Sequence, residues 1–194
     1  MIAETRGKLL AAGRKAFGTV GYSAASMDDF TAAAGLTRGA LYHHFGDKKG
    51  LFEAVLMQID GEMSVRLKEV SSRAPNQWQG LVDECVAYVE MALEPEIQRI
   101  VFRDGPAVLG DPSTWPNASG CVAAMTSTLA GLRQEGTLAD IDPEAAARLV
   151  NGAMGYASQW IANAGDPKAT SQKAAEALRT MLEGLRTTVS TRAS

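Results

Sequence analysis

Ala34-Gly35-Leu36-Thr37-Arg38-Gly39-Ala40-Leu41-Tyr42-His43-His44-Phe45 is the stretch on which the reading of this chain turns. Gly35 follows an alanine-rich run and suits a left-handed helix stop. Thr37 can cap a new helix that runs to about His44. Upstream, Ser26-Met27-Asp28-Asp29 reads as a capped start, with Asp29 at the position that answers the cap, for a helix ending at Ala34. Two short helices joined by Ala34-Gly35-Leu36-Thr37 form a helix-turn-helix. In such a unit the second helix enters the DNA major groove with its N-terminal residues at base edges.

The helical wheel supports that orientation. Taking Arg38 as origin, at about 100° per residue, Tyr42, Gly39 and His43 fall at about 40°, about 100° and about 140°. Ala40, His44, Leu41 and Phe45 fall at about 200° to 340°. One face is polar; the other is apolar except for His44, which is expected to pack between the first and fourth helices. Arg38 can donate two hydrogen bonds to guanine O6 and N7. Gly39 carries no side chain, so the helix can approach the DNA closely. Thr37 and Tyr42 offer hydroxyls to phosphate, and His43 can meet a base edge or a phosphate. Ser26 lies at the first turn of the preceding helix, whose N–H groups can receive a phosphate. Lys48 adds a positive charge at the start of a fourth helix. Asp28-Asp29 reads as capping rather than as a catalytic pair.

Outward from this unit the chain reads as helix throughout, so an all-α fold is expected. Apolar residues recur every three to four positions and alternating β-branched stretches are absent. A first helix over 4–20 places Leu9, Leu10, Gly13, Ala16, Phe17 and Val20 on one side, with Gly21 as a left-handed stop. The fourth helix opens at Asp47 and carries Leu51, Phe52, Val55, Leu56, Ile59 and Met63. Further helices are expected over about 76–93, 94–104, 117–135, 143–164 and 170–190. Gly105–Gly120 reads as the long irregular stretch. Two units follow, a three-helix DNA-binding domain over 1–50 and a regulatory domain over 51–194.

Charge divides the same way. Residues 1–50 hold seven basic and four acidic groups, a balance of +3, whereas the remainder holds 12 basic and 18 acidic, a balance of −6. A basic head on an acidic body suits a polyanion at one end only. No apolar run approaches the ~20 residues of a membrane span, and charge interrupts the N-terminus as it would not in a signal peptide. Cys85 and Cys121 form no disulfide framework. A cytoplasmic location is expected, in which the sequon at Asn117 carries no meaning. No Ser-His-Asp set, metal motif or glycine-rich phosphate loop is present, so neither an enzyme nor a bound cofactor is expected. His43 and His44 diverge by about 100° on a helix, against a shared metal.

Phe17, Gly21-Tyr22, Ser26 through Phe30, Ala34 through Phe45 and Lys48 together resemble the N-terminal signature of the tetracycline-repressor (TetR) family, over about residues 5–56. The resemblance implies that Thr37, Arg38, Gly39, Tyr42 and His43 lie at the DNA, with Ser26, Tyr42 and Lys48 on phosphates. It also implies a small-molecule pocket within helices 4 to 8. Cys85, Tyr88, Phe102, Trp115, Met125 and Trp160 are the candidates to line it; core packing is their alternative role. Few charges fall among them, so a mostly apolar or aromatic ligand is expected. Two departures stand out. Ala25 replaces a common threonine and removes one backbone contact, and Phe30-Thr31 replaces Ile-Ala, a packing change.

Residues 143–164 and 170–190 read as a helical hairpin with apolar stripes that include Val150, Met154, Ala174, Met181 and Val189. Such stripes can pack on the body. The resemblance implies instead a four-helix bundle with a second copy, for which Leu149, Ala153, Ala157, Leu178, Leu182 and Leu185 are candidates. A two-fold homodimer matches a palindromic operator in double-stranded DNA. The leading expectation is therefore a ligand-released homodimeric repressor. The alternatives are a helical enzyme or carrier with a vestigial motif, and a regulator controlled by protein contact or thiol oxidation.

Overall fold

The computed structural model of the chain describes residues 2–187. The expected end of the last helix, with Val189, lies outside the described residues. The all-α expectation holds: the described residues contain helices and one isolated antiparallel bridge, Leu138 with Arg186. None of these helices is long and apolar enough to cross a membrane.

The head is built from short-range signals. Helix α1 (Ile2–Ala24) is broken at Gly21, whose φ of 82° and ψ of 169° suit glycine alone, but a further turn continues to Ala24. The expected stop is thus a kink rather than an end. A distant partner meets the chain there: the Asp104 carboxylate accepts from the Tyr22 amide at 2.7 Å. Helix α2 (Met27–Ala34) starts on Ser26, whose hydroxyl accepts from the Asp28 amide. Gly35, at φ 64°, ψ 34°, closes it in the left-handed conformation. Helix α3 (Arg38–Phe45) starts on Thr37, whose hydroxyl accepts from the Ala40 amide. Asp47 caps α4 (Lys48–Ser72).

Phe17 is the centre of the head. Its ring lies 5.2 Å from Phe30, 5.1 Å from Phe52 and 5.9 Å from Tyr22. Leu9, Leu41 and Leu51 are buried with it. Phe30 and Thr31 are both buried, so that departure is spent on packing, with the Thr31 hydroxyl donating to the carbonyls of Met27 and Asp28. Helix α4 runs unbroken from this core into the body, where Ile59, Met63 and Leu67 continue its buried stripe. The division expected after residue 50 therefore falls inside a helix.

The body follows with α5 (Gln77–Glu90), a short α6 (Pro95–Ile97), a π-helical segment (Gln98–Asp104) and α7 (Gly105–Leu109). Part of the stretch expected to be irregular is thus helical. Gly105 explains the path there: a Cβ on it would lie 2.8 Å from the Trp115 ring, so the glycine is what admits that ring. Helices α8 (Ala118–Gln134), α9 (Pro143–Asn163) and α10 (Pro167–Glu183) complete the chain. Helix α10 ends well before residue 190. The chain beyond it pairs with 137–139, the Ala139 amide donating to the Leu185 carbonyl and the Thr187 amide to the Thr137 carbonyl.

Candidate nucleic-acid interface

The outer face of α3 has the composition read from the wheel. Thr37, Arg38, Gly39, Tyr42 and His43 are all exposed, while Leu41 is buried beneath them. Gly39 is informative. A Cβ there would meet only the Thr37 hydroxyl, at an ordinary 3.7 Å, and its backbone is helical. Glycine inside a helix costs about 1 kcal/mol relative to alanine. Nothing within 4 Å of that Cβ other than the Thr37 hydroxyl stands against a side chain there. Ala25 is buried and offers no side chain there.

Lys48 is half-buried and already positioned. Its Nζ lies 4.5 Å from the Tyr22 ring centroid and 3.4 Å from the Ser23 carbonyl oxygen. A cation over an aromatic face is held without losing its charge. This places a fixed positive group where α1 ends and α4 begins. Arg6 lies over the Phe45 ring at 5.3 Å and ties α1 to the end of α3. Arg38 donates from Nε and Nη2 to the two carboxylate oxygens of Asp28. That pairing is absent from the sequence reading, which gave Asp28 to the cap; the cap takes only its main-chain N–H. The Asp28 carboxyl is held below its usual range by this hydrogen bonding to Arg38.

The head is fastened to the body by groups that sequence reasoning missed. Arg14 of α1 donates to both oxygens of Glu96 at 2.8 Å and to both of Glu62 at 2.7 and 2.8 Å. The Glu62 carboxyl lies below its ordinary range chiefly because of Arg14. Arg99 donates to the Thr19 carbonyl at 2.6 Å, and Asp104 holds the Tyr22 amide. Both belong to the π-helical segment. Their partners lie 80 and 82 residues away, so no local pattern announces them.

The same segment reaches the candidate ligand residues. Phe102 is buried, and its ring meets the Tyr88 ring edge-on at 5.7 Å. Burial, with Asp60 as a second cause, pushes the Tyr88 hydroxyl up. Trp115, against Gly105, has a buried Nε1 without a hydrogen-bond partner, and Met125 is half-buried on α8. Cys85 is buried on α5, and burial pushes its thiol up to about 12, as suits a packing residue rather than a thiolate. Trp160 does not join this group: it is 47% exposed on α9. Two surface clefts, of about 630 and 290 Å³, are lined by other residues, one beside Arg14 and Glu96 and one beside Trp78 and Glu183.

The hairpin residues divide into two sets. Leu178 and Leu182 are buried within the protomer and are core. Ala153, Ala157 and Leu185 are half-buried. The exposed apolar side chains are Leu149 (75%), Tyr156 (74%) and Trp160 on one face of α9, with Met181 on α10. The sequence stripe could not tell these sets apart.

Comparison with known proteins agrees with this architecture. A model for the tetR family of bacterial regulatory proteins matches residues 9–55, and one for a tetracyclin repressor-like C-terminal domain matches residues 78–185. A TetR-family transcriptional regulator from Pectobacterium atrosepticum, solved as a crystal structure, is 50% identical at a TM-score of 0.87, with 95% of each chain covered. The transcriptional repressor BepR of Brucella suis is 31% identical over 52% of this chain and 48% of its own. The repressor AcnR of Corynebacterium glutamicum is 32% identical over 52% and 53%. The match therefore spans about half the length of these curated relatives.

Proposed function

Because the chain belongs to the tetR family of bacterial regulatory proteins, we propose that it acts as a homodimeric transcriptional repressor, released from a palindromic operator by a small, mostly apolar effector. One observation carries the DNA-binding part: the exposed face of α3 presents Thr37, Arg38, Tyr42 and His43 around a glycine that the protomer itself does not require. Selection of bound duplexes from a random-sequence pool, followed by footprinting, tests it. Enrichment of a two-fold symmetric site is the expected result. Failure to enrich any sequence would overturn it.

Regulation follows from how the body is tied to the head. A molecule seated against Tyr88 and Phe102 would press on the π-helical segment. That segment holds α1 through Arg99 and Asp104, and holds α9 through Arg103, whose Nε donates to the Ala162 carbonyl at 2.6 Å. π-helical turns recur at functional sites because they are less regular than the helix around them. An effector that prefers a state with mis-spaced recognition helices would draw the population off the operator. A thermal-shift screen of apolar and aromatic compounds, with operator release as the second readout, tests this. A compound that stabilises the protein and leaves DNA binding intact would count against the coupling.

A further inference from the structure

We propose that Asp28 is a positioning residue for base reading: it holds the guanidinium of Arg38 by its Nε–Nη2 edge, so that the adjacent Nη1–Nη2 end meets the bases of the major groove. The inference rests on α3 being the recognition helix.

A guanidinium carries five N–H groups. The Asp28 carboxylate takes one from Nε and one from Nη2. One N–H on Nη2 and two on Nη1 remain. One from each nitrogen lies along the end of the fork, and these two form the two-donor pattern that guanine O6 and N7 accept. Both hydrogen bonds of Arg38 among the described residues go to Asp28, so that end is unoccupied.

Stability does not explain the pair. Both side chains are more than half exposed, and an ion pair in that setting contributes little to folding. For affinity the carboxylate is a liability, because a negative charge on the DNA-facing side repels phosphates. What the pair supplies is orientation. A free arginine reaches a phosphate as readily as a base and must be ordered when it binds. An arginine gripped from α2 by a two-oxygen fork is ordered beforehand, in one plane. The capping role expected of Asp28 does not compete, since the cap engages its main-chain N–H and leaves both carboxylate oxygens to Arg38.

The probe is the operator duplex selected by the wild-type protein from a random pool, with all four base pairs at the position whose preference Arg38→Ala removes. Affinities of wild type, Asp28→Asn, Asp28→Glu, Arg38→Ala and the Asp28→Asn/Arg38→Ala pair are measured at one salt concentration. Asp28→Asn is expected to bind random duplex as well as wild type or better, yet to lose roughly tenfold of the discrimination at that base pair, within what one two-donor contact supplies. Asp28→Glu, which keeps a carboxylate, is expected to restore part of it. The double variant should discriminate no worse than Arg38→Ala alone, because the two residues act as one unit. Unfolding curves of Asp28→Asn should match wild type, since the Ser26 cap does not use the carboxylate. Full discrimination in Asp28→Asn, with all duplexes bound more tightly, would overturn the positioning role alone. An Arg38→Ala protein that keeps every base preference of the wild type across the selected operator would overturn it together with base reading by Arg38.

Discussion

On α3 the side chains left bare by the protomer are Thr37, Arg38, Tyr42 and His43; on α9 they are Leu149, Tyr156 and Trp160. Both sets sit on helices whose other face is buried. They differ in what they can do with water. Arg38, Thr37 and His43 keep their hydration until a polyanion replaces it, and the basic head around them favours that exchange. Leu149 and the ring carbons of Tyr156 and Trp160 gain nothing from water, and apolar side chains gathered on one exposed face suit a surface that a partner covers. A single chain thus separates an exposed polar face from an exposed apolar one, which the proposed function gives to DNA and to a second copy, and joins them through α4, Arg14 and the π-helical segment.

The most severe test of that contrast is to charge the apolar face. Tyr156→Glu combined with Trp160→Glu should give folded monomers, seen by sedimentation with an unchanged helical spectrum. Affinity for the full operator should fall by about 10²–10⁴-fold, because the second half-site is no longer tethered. A variant that stays dimeric would move the joint elsewhere. Leu182→Glu, on the inner side of the hairpin at 1% exposure, should behave differently. It replaces a packed leucine with an unpaired buried carboxyl, a loss of about 3–5 kcal/mol read from the denaturant midpoint. Normal stability with loss of the dimer would put Leu182 on the outer face.

Smaller effects are expected on the polar side. Arg38→Ala should cost about 1–3 kcal/mol on the selected operator and relax preference at one base pair per half-site. A loss uniform over all sequences would make it a phosphate contact. Lys48→Ala should weaken specific and random duplex alike and reduce the salt slope by about one. An unchanged slope would remove Lys48 from the interface. The smallest effect concerns the joint between head and body. Glu62, with its folded value lowered by Arg14, contributes stability above the ordinary carboxylate range and loses it as pH falls through the lowered value. The difference in melting temperature between wild type and Glu62→Gln should therefore shrink on acidification. A difference constant with pH would show that the charge of Glu62 is not what matters.

The sequence was most legible where structure is decided within a few residues. Ser26, Gly35, Thr37 and Asp47 begin or end helices through their own side chains or backbone, and the helices of the head follow from them. It was least legible where partners are remote. The kink at Gly21 is accompanied by the hydrogen bond from the Tyr22 amide to Asp104, and past the end of α10 Arg186 pairs with Leu138. Trp160 and Leu182 show a third limit. Both fit an apolar stripe, yet one is half exposed and the other enclosed, and helical periodicity alone does not say which side of a two-helix layer faces the body. Asp28 was read only in part for a related reason: its amide joins the Ser26 cap as expected, but its carboxylate meets Arg38, ten residues on.

The most direct test of the central claim is a footprint of the wild-type protein on its selected operator, with the protomer-to-duplex ratio measured by sedimentation in the same buffer. The expected result is two protected segments on one side of the duplex, their centres about 34–36 Å apart or a multiple of a helical turn, filled by two protomers together. One protected segment filled by one protomer, or equal affinity for the operator and a random duplex, would contradict it.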